Sequence, residues 1–119
     1  MKIVLIEDEQ HIAEALEFLF SQQGWAVVSH NDGATAAGLI KAEAPDIVVL
    51  DIMILNKNGL DVLRELREDG TTADLPVLML TAKGQANNRT AAELAGATQF
   101  MTKPFSNSEL LTAIRTLTS

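Results

Sequence analysis

Five short apolar runs, at residues 2–6, 25–29, 46–50, 77–80 and 98–101, recur along the chain without alternating with polar residues. Runs of this kind, rich in Val, Ile and Leu, are strands buried on both faces, as in a parallel sheet covered by helices on each side. Parallel neighbours need crossover connections, and windows of helical spacing lie between the runs. Ile12, Leu16, Leu19 and Phe20 form an i, i+4, i+7, i+8 stripe that ends at Gly24, a residue suited to a C-cap. Leu60, Leu63 and Leu66 form a second stripe, opened by Gly59. Leu110, Leu111, Ile114 and Leu117 form the last, with Asn107 or Ser108 as the expected N-cap and Glu109 in the first turn. A weaker helix is expected at 34–43, closed by Pro45, and the weakest at 85–95, where Leu94 is the one large apolar residue. Five strands and five helices in 119 residues predict (βα)5 in one domain over 1–119, since a closed barrel of eight units needs about 250 residues. The predicted fold class is α/β: a doubly wound, five-stranded parallel sheet in the order 2-1-3-4-5 with right-handed crossovers.

Composition narrows the function classes. Nine basic against sixteen acidic side chains leave a formal charge of −7, which disfavours direct nucleic acid binding, because phosphate contacts need clustered Lys and Arg. Cysteine is absent, which removes disulfides, thiolate metal sites and Cys nucleophiles together. The longest apolar runs are far short of the ~20 residues that span a bilayer. Glu7, Asp8 and Glu9 arrive before a signal-peptide core could form. A small acidic domain in the cytoplasm, with no membrane partner, is expected.

In open α/β sheets, ligands bind beyond the carboxyl ends of the strands, where the strand order reverses. Glu7 and Asp8 follow the first strand and Asp51 the third; Thr81-Ala82 ends the fourth, and Lys103-Pro104 follows the fifth. Strands one and three are neighbours at the reversal, so three carboxylates are expected to converge there, with Thr81 and Lys103 approaching from one side. At ~4 Å and an effective dielectric near 20, each pair of like charges repels by about 4 kcal/mol. Lys103 offsets part of this, and all-oxygen ligation suits a hard cation such as Mg²⁺ for the rest. Asp51, at the end of the central strand and framed by apolar residues, is the best placed nucleophile for a phosphoryl group. Taken singly, each of these residues has an ordinary reading: acids at a helix N-terminus, a turn Asp, a β-branched strand end, an exposed Lys-Pro turn. Their joint register sets them apart.

Glu7-Asp8, Asp51, Thr81-Ala82 and Lys103-Pro104-Phe105, in that order, resemble the signature of the response-regulator receiver domains of two-component signalling, which have a flavodoxin-like fold. The likeness covers the whole chain and extends to Asp51-Ile52-Met53, Gly59, Leu80-Thr81-Ala82 and Gly96-Ala97. The resemblance implies that Asp51 is the phosphoacceptor, that Glu7, Asp8, Asp51 and the backbone carbonyl of Met53 hold Mg²⁺, and that Lys103 partners the phosphoryl group. It also implies a switch formed by Thr81 and Phe100, and a cis peptide bond between Lys103 and Pro104. There are departures. Glu7 stands where Asp is commoner, Leu55 replaces a frequent Pro and so loses a fixed φ, which predicts a looser loop, and Phe100 lacks the hydroxyl of a Tyr. Thr98-Gln99 replaces a pair of acids frequent in transcription-factor receivers.

The expected partners are a histidine kinase or phosphotransfer protein upstream. Downstream comes a protein partner or self-association through helix four, strand five and helix five, with Arg89, Glu93, Phe100 and Arg115 as contacts. Helix four, anchored by Leu94, is the expected movable element. The chain is expected to be no enzyme beyond its own phosphorylation and dephosphorylation. A haloacid-dehalogenase-type phosphatase would need a second Asp two residues after the nucleophile, where Met53 stands. A flavin carrier would need a phosphate-cradling loop and flanking aromatics. The alternatives that remain are the receiver half of a longer DNA-binding transcriptional regulator and a phosphorylation-independent interaction module. His11 and His30 are expected to be solvated, Trp25 to cover an edge strand, and the methionines to fill the core.

Overall fold

The computed structural model describes residues 1–81 and 87–119, with residues 87 and 88 as backbone. Along the chain run β1 (Lys2–Ile6), α1 (Gln10–Gln22), β2 (Ala26–His30), α2 (Gly33–Glu43), β3 (Ile47–Asp51), α3 (Gly59–Glu68), β4 (Val77–Thr81), α4 (Asn87–Ala95), β5 (Gln99–Thr102) and α5 (Asn107–Thr118). All strand pairs are parallel and the order is β2-β1-β3-β4-β5, as the sequence predicts. Alternation along each strand divides the core in two. Val4, Ile6, Val48, Leu50 and Met79 face α2, α3 and α4, where they meet Ile40, Leu63 and Ala92. Ile3, Leu5, Val49, Leu78 and Leu80 face α1 and α5, where they meet Leu16, Phe20, Leu110 and Ile114. Burial on both faces holds for β1, β3 and β4 from Ile3, Ile47 and Val77 onward; the edge strands β2 and β5 are only half-buried, because each has a neighbour on one side.

Four strands run one residue beyond the apolar runs at the C-terminal end. Ile6 pairs with His30, Asp51 with Leu80, and Thr81 with Thr102, so the hydrogen-bond ladder continues into polar residues that composition alone does not assign to a strand. The α5 N-cap is Ser106 rather than Asn107 or Ser108. Its hydroxyl accepts the Glu109 N–H at 3.1 Å and donates to the Glu109 carboxylate at 3.2 Å. Leu94 does not anchor α4, being 85% exposed. The helix is held by Ala92, fully buried, with Ala91 and Ala95 beside it, since small side chains let a helix approach its neighbours closely. Residues 85 and 86 of the expected helix lie outside the described residues. Met79 fills the core, whereas Met53 is exposed. Trp25 packs on Phe20, ring centroids 6.1 Å apart. His11 is exposed and His30 half-buried, its Nε2 2.6 Å from the Thr35 hydroxyl.

Gly59 opens α3 against the end of β3. A Cβ there would strike the Asp51 carbonyl oxygen and come within 2.8 Å of the Ile52 Cα, backbone that cannot rotate away. Gly38, inside α2, has no neighbour within 4 Å of the same added atom. Urea unfolding should therefore show Gly59→Ala losing about 1–3 kcal/mol of stability by overpacking. Gly38→Ala should gain about 1 kcal/mol of helix propensity. Equal and small effects of the two would contradict this packing at Gly59.

Candidate functional site

The strand order reverses between β1 and β3. Because Ile6 pairs with Leu50, the next residues, Glu7 and Asp51, leave the two strands side by side. Both are buried, at 3% and 5% exposure. The Lys103 N–H donates to the Thr81 carbonyl at 2.7 Å, which starts the chain after β5 close to β4. From there the Lys103 side chain reaches across to place Nζ 2.6 Å from Asp51 Oδ2 and 3.4 Å from Glu7 Oε2. The other Asp51 oxygen, Oδ1, accepts the Met53 N–H at 2.9 Å, so both oxygens are held and the carboxylate plane is fixed. Glu7 Oε1 accepts the Glu9 N–H at 3.2 Å, and the Glu7 N–H donates to the His30 carbonyl at 3.0 Å. Thr81 is buried at the end of β4, and the Lys103–Pro104 bond is cis.

Two acids share one ammonium, and the electrostatics show the imbalance. Burial pushes the Glu7 carboxyl up from 4.5 to about 7; the hydrogen bond and the charge of neighbouring Asp51 push the same way, and Lys103 only partly counters them. At Lys103 burial works to lower the pKa, but the hydrogen bond and charge of Asp51, with Glu7 behind them, outweigh it and the net shift is upward.

The expected convergence of three carboxylates is met by two. Among the described residues no group of three or more His, Cys, Asp or Glu side chains is gathered to hold a metal. Asp8 lies in the bend that follows β1. Asp8 joins Glu14, Glu17 and His30 along a neighbouring cleft of about 360 Å³, which Glu7 also lines. The donor chemistry still fits a hard cation: oxygen ligands only, buried, and carrying negative charge that Lys103 leaves partly unneutralised.

The expected contact surface is only partly assembled. Phe100, half-buried on β5 opposite Met79, packs against the core on the α2–α3–α4 side. Arg89 and Glu93 pair with each other at 3.4 Å on exposed α4. Arg115 is exposed and faces α1. Its Nη2 donates to Gln23 at 2.6 Å and its guanidinium lies 5.8 Å from the Trp25 ring centre, on the α1 side of α5. A contact between the β3–α3 and β2–α2 loops, an isolated parallel bridge from Asp32 to Leu55, had no sequence signal, because a bridge between two loops leaves no periodicity.

The family model described as the response regulator receiver domain matches residues 3–115. The chain is a response regulator receiver domain. It is 37% identical over 115 residues to the protein named "Probable transcriptional regulatory protein TcrX" of Mycobacterium tuberculosis, covering 97% of this chain. It spans 48% of the length of that relative, so about half of it. The beryllofluoride-activated N-terminal receiver domain of Klebsiella pneumoniae RstA is 29% identical with a TM-score of 0.89, each chain covered in full. The receiver domain of the sensor histidine kinase PA1611 of Pseudomonas aeruginosa, solved with a magnesium ion coordinated in its active site cleft, shares the fold. It is 24% identical, with a TM-score of 0.90 over 98% of this chain and 95% of that one. Among the described residues no helix of this receiver domain is long and apolar enough to cross a membrane.

The raised Glu7 carboxyl gives the receiver domain a signed pH dependence. Between about 4.5 and about 7 the folded protein keeps a proton on Glu7 that the unfolded chain releases. Stability in metal-free buffer therefore falls as pH rises through that window. Glu7→Gln removes this contribution, so from pH 5 to pH 8 its urea-unfolding free energy should fall less than that of the wild type. Parallel profiles would contradict the shift.

Proposed function

We propose that this receiver takes a phosphoryl group from the phosphohistidine of a histidine kinase or phosphotransfer protein onto Asp51. The observation that supports this most is the 2.6 Å contact between Lys103 Nζ and a buried Asp51 whose second oxygen is fixed by the Met53 N–H. A carboxylate oxygen of Asp51 attacks phosphorus, the bond from phosphorus to the donor nitrogen breaks, and the leaving imidazole keeps the electron pair and takes up a proton. Lys103, released from the carboxylate charge, follows the negative charge onto the phosphoryl oxygens, and the Thr81 hydroxyl lies on the strand beside Asp51 to donate to them. Glu7, Asp8, Asp51 and the Met53 carbonyl would hold Mg²⁺, which supplies positive charge to the equatorial oxygens when bound. The PA1611 domain, of the same fold, carries magnesium in its cleft.

The chain is thus an acceptor, not a turnover enzyme, working in the cytoplasm. The phosphoryl group adds oxygens and charge, to which Thr81 and Phe100 respond, altering the surface of α4, β5 and α5 presented to a downstream protein or a second copy. Arg89, Glu93, Phe100 and Arg115 are the candidate contacts in this reading. A second reading of the context is favoured by TcrX, about twice as long: the chain is the receiver half of a longer transcriptional regulator.

Incubated with Mg²⁺ and acetyl phosphate, the wild type should gain one phosphoryl group by intact mass, and Asp51→Asn none. Equal labelling of the two would overturn the assignment of Asp51.

A further inference from the structure

Residues 52–58 lead from Asp51 to α3 and carry Met53. The Met53 and Leu55 side chains are 57% and 55% exposed, so apolar burial of these two does not hold the segment in place. Ile54 between them packs against the core on the α2–α3–α4 side, and backbone contacts with the start of α2 complete the hold. The Gly33 N–H donates to the Leu55 carbonyl at 2.8 Å, beside the Asp32–Leu55 bridge, and the Lys57 N–H donates to the same oxygen at 2.8 Å. Asn56 stands at φ +67, and the Asn56 side chain first, with the Ala34 N–H second, holds the Asp32 carboxyl below its ordinary range. Gly33 is pressed so close that a Cβ would strike the Lys57 carbonyl oxygen and lie 2.9 Å from the Lys57 Cβ. The carbonyl of Leu55, which stands where the family often has Pro, is therefore a latch point.

The ends of the segment are also pinned. The Ile52 N–H donates to the Leu80 carbonyl at 3.0 Å, and the Gly59 N–H to the Ile52 carbonyl at 2.8 Å. A displacement at Leu55 cannot spread into β3 or α3 and falls on residues 53–57, Met53 included.

We propose that Gly33, through its N–H bond to Leu55 and its missing Cβ, is a positioning residue that holds the Met53 backbone in place for Mg²⁺, resting on the reading above in which the Met53 carbonyl is a ligand. The start of α2, which supplies no ligand itself, then sets how readily the site binds its cation.

Amide NMR titrations with Mg²⁺ on the full chain test this. Gly33→Ala should weaken Mg²⁺ binding on the order of tenfold, as loss of an outer support does at metal sites, and should shift the Met53 amide in the metal-free spectrum. Gly38→Ala, the same substitution in the same helix with open space around it, should keep the wild-type affinity. Asn56→Gly tolerates the positive φ but removes the side chain that acts on Asp32; it should weaken binding in the same direction with the fold intact. A folded Gly33→Ala with wild-type affinity would overturn the proposal. If Gly33→Ala does not fold, Asn56→Gly with wild-type affinity overturns it. A wild type that binds no Mg²⁺ would overturn the metal reading and this proposal together. Binding by the wild type with no loss in the variants removes the latch alone.

Discussion

The ion pair between Lys103 and Asp51 depends on a long reach. Lys103 emerges beyond β5, and Asp51 ends β3 with β4 between them, two strand spacings or about 10 Å away. Only a long side chain bridges that gap, and the bridge lets two buried carboxylates sit side by side at the strand reversal. Removing one partner of such a pair leaves a charge in low dielectric, typically a loss of several kcal/mol. Parallel topology creates the crowding, since every strand points its carboxyl end to the same side. The register of Ile6 with Leu50 makes Glu7 and Asp51 neighbours.

The pairing is incomplete by design of the charges. One ammonium serves two acids, and the deficit shows at Glu7, whose longer arm stays buried with its carboxyl raised to about 7. In the proposed function, this deficit is what a divalent cation would offset. α4 is held by alanines and shows its one large apolar side chain to solvent, whereas β1, β3 and β4 are buried almost throughout.

Much of this was legible in the sequence because it is local. Unbroken apolar runs give the three inner strands, the residue after each gives Glu7, Asp51 and Thr81, and Lys103 follows the end of the fifth run by two residues. The ladder continues past the apolar runs into the polar residues His30, Asp51, Thr81 and Thr102, and their partners are fixed by the pairing. Leu94 was misread because hydrophobicity says what a side chain prefers and not which face of a short helix meets the core. The contacts of Arg115 with Gln23 and Trp25 had no sequence signal, because those residues lie at the far end of α1 and just beyond it. The Gly33–Leu55 latch was invisible for the same reason: it joins loops through backbone atoms, which every residue carries.

The central claim is that a divalent cation relieves the tension between Glu7 and Asp51. Calorimetric titration with Mg²⁺ in buffers of different ionisation enthalpy measures it most directly, because it counts protons released on binding. With the Glu7 carboxyl near 7, binding at pH 6 should release about one proton, and the release should fall away by pH 8. Binding that releases no proton at either pH would contradict the account.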